Sequence, residues 1–205
     1  MSAVTIIGAG GMAAAIAGIA AKAGADVQVL ARDEAKAAAV ASPVGGTSGP
    51  IDASISGEVV VLALPWPALD DVLAVIGDKL AGKVVVDITN PVDFATFDSL
   101  VVPADSSQTA ALAERLPAAK VVKAFNTTFG AALVGGTLAG APVTVLVAGD
   151  DDAKAKFTAT FDGPVAVVDA GSLRRARELE AFGFLQITLA ARGATGWDKG
   201  FQLVR

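Results

Sequence analysis

The sequence predicts an α/β fold: a doubly wound, mainly parallel sheet with a C-terminal helical segment. Three observations predict it. Apolar runs of strand length alternate with segments of helical period along most of the chain. Several of these runs, such as Glu58 to Leu64, are apolar almost without interruption, as strands covered on both faces must be. The first run, Val4-Thr5-Ile6-Ile7, passes directly into Gly8-Ala9-Gly10-Gly11-Met12-Ala13 and a long alanine-rich segment.

That opening stretch sets the function class. A strand that enters Gly8-x-Gly10-x-x-Ala13 and then a helix is the phosphate-binding turn of a Rossmann-type dinucleotide site. Gly8 permits the tight turn, Gly10 lets a pyrophosphate approach the backbone, and Ala13 lets the helix pack closely. The free N–H groups and the dipole at the helix start favour the negative charge.

Composition narrows the reading. With 205 residues, 53% hydrophobic and 18% charged, the chain can build a sizeable core and reads as a single domain, 1–205, in which 171–205 form an appended helix and tail. A net charge of -5 argues against nucleic-acid binding. No stretch reaches the ~18 uninterrupted apolar residues of a membrane span. The apolar N-terminus lacks a basic leader and reads as mature protein, so a cytoplasmic enzyme is expected. The chain contains no His, Cys or Tyr. Imidazole acid–base catalysis, a Tyr–Lys proton donor and a Cys/His zinc site are thereby excluded. No catalytic side chain and no metal site are assigned, and redox chemistry would be carried by cofactors.

Taken in order, Ser2 to Ile7 is the first strand and Gly11 to Ala23 the first helix, closed by Gly24. Asp26 to Ala31 is the second strand. Its end, Leu30-Ala31-Arg32-Asp33, has no acidic residue at the position that binds an adenosine ribose in NAD enzymes. Ala31 stands there and Arg32 follows, which suits a 2′-phosphate and NADP. Asp33 is read as a helix N-cap, or, in a shifted register, as a ribose ligand.

Ala41 to Ile55 is loop with one short strand, and Glu58 to Leu64 is a buried strand. Pro65-Trp66-Pro67 opens a helix with Leu69, Val72, Leu73, Ile76 and Leu80 on one face. Lys83 to Ile88 is a strand ending in Thr89-Asn90-Pro91, Phe94 to Ser107 a long loop, and Thr109 to Leu116 a helix. Lys120 to Ala124 is a strand leading into Phe125-Asn126-Thr127. Val143 to Ala148 is a strand, followed by a helix to Phe161 that opens on Asp150-Asp151-Asp152, carboxylates placed for the helix dipole rather than for a metal. Val165 to Val168 is the last strand. Ser172 caps a final helix to Ala191, whose second half is apolar nearly all round; it is either buried within the monomer or packed against a second subunit, and a homodimer contact is the favoured expectation.

Ligands bind at the carboxyl ends of such strands. Gly8, Ala9, Gly10, Gly11, Met12, Ala31 and Arg32 are candidates for the pyrophosphate and adenosine half of the dinucleotide. Leu64, Pro65, Trp66, Asn90, Pro91, Phe125 and Asn126 are candidates for the nicotinamide half. Asn126 either holds the nicotinamide carboxamide or closes a turn. Lys123 reads as a solvent-facing strand residue, with proton donation or anion binding as the other reading. Arg174, Arg175 and Arg177 either pair with Glu178 and Glu180 at the surface or bind an acidic substrate tail.

Gly8-x-Gly10-x-x-Ala13, Leu64-Pro65-Trp66, Asn90-Pro91, Lys123-Ala124-Phe125-Asn126, Gly149-Asp150-Asp151 and Asp169-Ala170-Gly171 together resemble the NADP oxidoreductases dependent on the deazaflavin coenzyme F420. The domain is also similar to the NADPH-binding part of the STEAP ferric reductases. The resemblance implies hydride exchange between NADP(H) and a deazaflavin or flavin-like acceptor, in a dimer joined by its C-terminal helices. Reduction of ferric chelates, carbonyls or imines, and an NADP-binding sensor or partner-binding module without turnover, are the alternatives.

Overall fold

The structure is a computed structural model that describes residues 2–203; the ends of the expected 1–205 domain, at 1, 204 and 205, lie outside the described residues. Strands β1 (Ala3–Ile7), β2 (Asp26–Ala31), β3 (Thr47–Pro50), β4 (Val59–Leu62), β5 (Val84–Asp87), β6 (Lys120–Ala124), β9 (Thr144–Ala148) and β10 (Ala166–Gly171) form one eight-stranded sheet. Its order is β10-β9-β6-β5-β4-β1-β2-β3. The first six strands of the chain are parallel in the order 3-2-1-4-5-6, the doubly wound arrangement that the sequence predicts. β9 runs antiparallel to β6, and β10 runs parallel to β9. This reversal turns Gly149-Asp150 and Gly171 to the edge of the sheet away from the carboxyl ends of the other strands.

The buried strands show why an unbroken apolar run is needed. In β4, Val59 and Val61 enter the core beneath α1 (Gly11–Lys22) and α6 (Asp151–Phe161). Val60 and Leu62 point the opposite way, beneath α3 (Leu69–Ile76) and α4 (Gln108–Arg115). Each face of the sheet thus has its own core, and alternate residues fill each one. Leu69, Val72, Leu73, Ile76 and Leu80 are all buried, as their spacing requires.

Residues 34–41 form a helix, α2 (Glu34–Ala41), with Asp33 as its N-cap, as read from the sequence. Other local details differ from expectation. The chain between β6 and β9 holds a short helix, α5 (Gly130–Gly135), and a small hairpin of β7 (Thr137–Leu138) and β8 (Ala141–Pro142). Glycine-rich stretches this short carry no hydrophobic period to read. Ser172 makes no side-chain cap; a single tight turn over Leu173–Arg175 precedes α7 (Ala176–Ala191).

α7 is not a free apolar rod. Ala176, Leu179, Glu180, Gly183, Gln186 and Ala190 are buried against the sheet and α4, and Leu185 on the other side is 50% exposed. Among the described residues no helix is long and apolar enough to cross a membrane.

The edge strand β10 is tied to α6 by Lys154, whose Nζ lies 2.7 and 2.8 Å from the two carboxylate oxygens of Asp169. The pair holds Asp169 below its ordinary value of 3.8, helped by the Gly171 N–H. It also holds Lys154 above 10.5 despite burial. The carboxylate contribution is present above pH 3.8 and is lost as the pH falls through the lower folded value. The ammonium contribution is present below 10.5 and is lost as the pH rises through the higher folded value. Asp169→Asn is therefore expected to cost about 0.5–1 kcal/mol at neutral pH, the range of a solvent-screened pair. Urea unfolding at pH 7 and pH 3 checks this, with the difference from the parent chain shrinking at the lower pH.

Candidate functional site

The phosphate turn is built as its glycines demand. Gly8 adopts φ +121°, and a Cβ there would stand 2.4 Å from the Ala63 carbonyl oxygen, so no other residue fits the β1–β4 crevice. Gly10 is the N-cap of α1 and offers no side-chain cap to the helix. Nothing lies within 4 Å of where a Cβ would be on Gly10 or Gly11. The N–H groups of the first turn thus face open space, as an anion site requires.

A cleft of about 270 Å³ opens beside this turn. Its walls include Gly8, Ala9, Gly10, Ala31, Arg32 and Leu64, so six of the expected residues do converge, and Lys36 joins them. Asp33 resolves the ambiguity in register. Its Oδ1 accepts from the Lys36 N–H (3.1 Å), capping α2, and its Oδ2 lies 3.4 Å from Lys36 Nζ. These bonds hold its carboxyl below the usual range. The carboxylate thus caps its own helix while still lining the cleft, and Arg32 and Lys36 stand beside it as two cations. Lys36 went unnoticed in the sequence because it follows the strand end by a helical turn. The available signal was the cap itself, which fixes where that turn points.

A larger cleft, about 500 Å³, lies at the opposite edge of the sheet between α3 and α4. Leu73, Leu80, Leu116 and the Asp70–Arg115 pair line it. It brings together no glycine turn and no unpartnered buried polar group among the described residues, so the smaller cleft is the chemical one.

The nicotinamide-side candidates are organised by three levels of contact along α7. At the lowest, Lys123 is wholly buried, contrary to its expected exposure. Its ammonium donates to Asp87 Oδ2 (3.1 Å), to Glu180 Oε1 (3.1 Å) and to the Thr89 carbonyl. Glu180 is likewise buried, not paired with the arginines at the surface. Its oxygens accept from the Gln108 and Thr109 N–H groups (2.9 and 3.1 Å) at the start of α4. Arg175 alone follows the expected surface pairing, with Glu178 at 3.3 Å.

At the next level, Asn90 and Asn126 form a reciprocal pair. Asn90 Nδ2 donates to the Asn126 carbonyl and Asn126 Nδ2 to Asn90 Oδ1, both at 2.9 Å. Asn126 Nδ2 also donates to the Leu179 carbonyl of α7 (2.8 Å). Gly183 faces this pair. A Cβ at that position would lie 2.6 Å from Asn90 Oδ1 and 2.7 Å from the Asn126 carbonyl, which explains a glycine inside a helix. Asn126 therefore closes a turn, yet its Oδ1 remains buried and without a partner, as does Thr89 Oγ1. A nicotinamide carboxamide carries the N–H groups that such acceptors lack, so the residues fit that group.

The remaining candidates are placed as follows. Phe125 has φ +62°, is wholly buried and turns its ring into the core, against Phe157 (5.3 Å) and Phe161 (5.1 Å). The aromatic anchor holds this left-handed residue and so aims Asn126 inward. The Trp66 indole donates to the Val92 carbonyl (3.0 Å), joining the ends of β4 and β5. Pro65 is exposed beside it, and Pro91 is buried. Met12 packs beside Gly130, whose Cβ would be 3.3 Å from its sulfur.

Comparison with known proteins agrees with this fold. Residues 3–91 match the model of the family described as NADP oxidoreductase coenzyme F420-dependent. The F420-dependent NADP reductase of Methanothermobacter thermautotrophicus is 32% identical over 191 residues, covering 83% of this chain and 81% of that protein. The chain belongs to this family. It is an NADP-dependent oxidoreductase. The F420-dependent NADP reductase of Methanocaldococcus jannaschii is 33% identical over 147 residues, 67% of this chain and 64% of that protein, just under two thirds of its length. The rat metalloreductase STEAP3 is 32% identical over 87% of this chain, which spans 36% of that protein. A solved structure assigned to an F420-dependent NADP reductase of Arthrobacter sp. FB24 superposes with a TM-score of 0.84 at 25% identity, covering 98% of this chain and 99% of that one.

Lys123→Met tests the lowest level. It keeps the length of the side chain but leaves two buried carboxylates without their cation. A loss of roughly 3–5 kcal/mol is expected from urea unfolding.

Proposed function

We propose that the chain transfers hydride between NADP(H) and a second redox cofactor, a deazaflavin of the F420 type or a flavin. The carrying observation is the convergence of Arg32 and Lys36 on the cleft beside the glycine turn, where Asp33, which also lines it, is engaged by the Lys36 N–H and ammonium. A 2′-phosphate meets charge-assisted bonds from two cations there, which a bare 2′-hydroxyl forgoes. The α1 N-terminus binds the pyrophosphate at Gly8, Ala9, Gly10, Gly11 and Met12. Leu64, Pro65 and Trp66 wall the nicotinamide, and Asn126 Oδ1 orients its carboxamide. NADPH, once bound, supplies the hydride itself. With no His, Cys or Tyr in the chain, the protein contributes position and orientation rather than a proton. The deazaflavin reading is supported by the names of the F420-dependent relatives.

The chain works in this reading as one domain in the cytoplasm. Residues 171–205 are its appended C-terminal helix and tail, and the exposed side of α7 forms the contact of a homodimer.

Arg32→Ala and Lys36→Ala are each expected to weaken NADPH binding, Arg32→Ala by roughly 1.5–3 kcal/mol, with little effect on NADH. Fluorescence titration with both nucleotides measures this, and equal losses would refute the 2′-phosphate role. Leu185→Asp is expected to convert the dimer to a monomer of unchanged fold. Light scattering reads the mass, and a mutant that stays dimeric removes α7 from the interface.

A further inference from the structure

α7 rises past the strand ends in steps of one turn. Glu180 meets Asp87 and Lys123, and Gly183 meets Asn90 and Asn126, which lie three residues beyond that pair in the chain. The next step brings Gln186 to a third level, ~4.5 Å farther along the helix axis. The first level is closed by ion pairs and the second by the amide pair. The third is open: Gln186 is 2% exposed, and neither its Nε2 nor its Oε1 has a partner. Leaving buried donors and acceptors unmade is costly, and an apolar side chain of the same size would avoid that cost. The amide therefore has a use that this arrangement does not show.

The cover over Gln186 is the C-terminal tail. Gly200 approaches so closely that a Cβ there would stand 3.2 Å from Gln186 Nε2. The tail rests on aromatic rings, Trp197 against Phe129 and Phe201 against Phe182, both at 4.9 Å. Gln202 fastens it by accepting from the Thr144 N–H (3.2 Å) and donating to the Pro142 carbonyl (2.6 Å). Trp197 and Phe201 remain 53% and 48% exposed, so the tail leaves much of its own apolar surface in water. A segment held by so few buried contacts opens at low cost.

We propose that Gln186 is the recognition residue for the second cofactor and that Trp197–Leu203 form a displaceable cover over it. The ligand is a planar heterocycle with a carbonyl beside an N–H on one edge. Such an edge accepts from Gln186 Nε2 and donates to Oε1 together, and its flat faces suit the rings of Phe129 and Phe182 that the tail now covers. The proposal rests on the two-cofactor reading above and names the edge of the acceptor that the protein reads.

The test uses full-length parent, Gln186→Leu, Gln186→Glu and Trp197→Ala chains. Riboflavin and a deazaflavin riboside serve as fluorescent probes, with NADPH binding measured separately in each protein. Gln186→Leu is expected to weaken binding of at least one heterocycle by about tenfold or more, with Gln186→Glu intermediate, while NADPH affinity holds and the melting temperature of Gln186→Leu stays level or rises. Trp197→Ala is expected to strengthen heterocycle binding by loosening the cover. Unchanged heterocycle affinity in Gln186→Leu, or no heterocycle binding by the parent chain, overturns the role of Gln186. Weaker binding in Trp197→Ala overturns the cover and makes the tail part of the site. Failure of the parent chain to bind NADPH would instead strike the NADP reading, independently of the probes.

Discussion

A single buried ammonium ties the ends of two central strands to the C-terminal helix. Lys123 stands between Asp87 and Glu180 with no exposure to water, and so joins β5, β6 and α7 at one point. Charges this deep are tolerable only when fully paired and hydrogen-bonded. The backbone N–H groups of Thr89, Gln108 and Thr109 supply the remaining donors. The geometry is therefore sharply specified: a shift of α7 by one residue would strand Glu180. Because Asn90, Asn126 and Gly183 each lie three residues farther on, the level above inherits the register of the ion cluster. The Asn90–Asn126 amide pair is positioned by electrostatics it never touches.

The adenosine end is organised by a different economy of contacts. One aspartate caps α2 and pairs with Lys36, so that a carboxylate and two cations, Arg32 and Lys36, share the wall of the cleft. Both ends of the cleft share a feature: polar side chains are committed to local structure, and what they leave open marks where ligand groups belong.

The C-terminal segment has two roles that a reading of its hydrophobicity merges. The face of α7 that carries Glu180, Gly183 and Gln186 builds the site, and the face that carries Leu185 is left to solvent. A helix apolar on most sides can serve both a monomer core and an interface, because burial demands only that each face find a cover. The tail then folds back over the upper part of the site on aromatic contacts.

Local chemistry made much of this legible in the amino-acid sequence alone. The doubly wound sheet, the phosphate turn at Gly8–Ala13, Arg32 after β2 and the strand ends at Trp66, Asn90 and Asn126 all follow from patterns that span a few residues. A β-branched run, a glycine spacing or a strand-end position has the same meaning wherever it occurs. Only the tertiary structure decided the burial of Lys123, since a lysine in a strand reads as solvated until its partners, 36 and 57 residues away, are placed around it. The same holds for Glu180, for the inward ring of Phe125 and for the antiparallel turn of β9. Their positions are set by contacts between elements far apart in the chain, where the cost of a buried charge or an unpaired strand edge is settled by neighbours that no local pattern records.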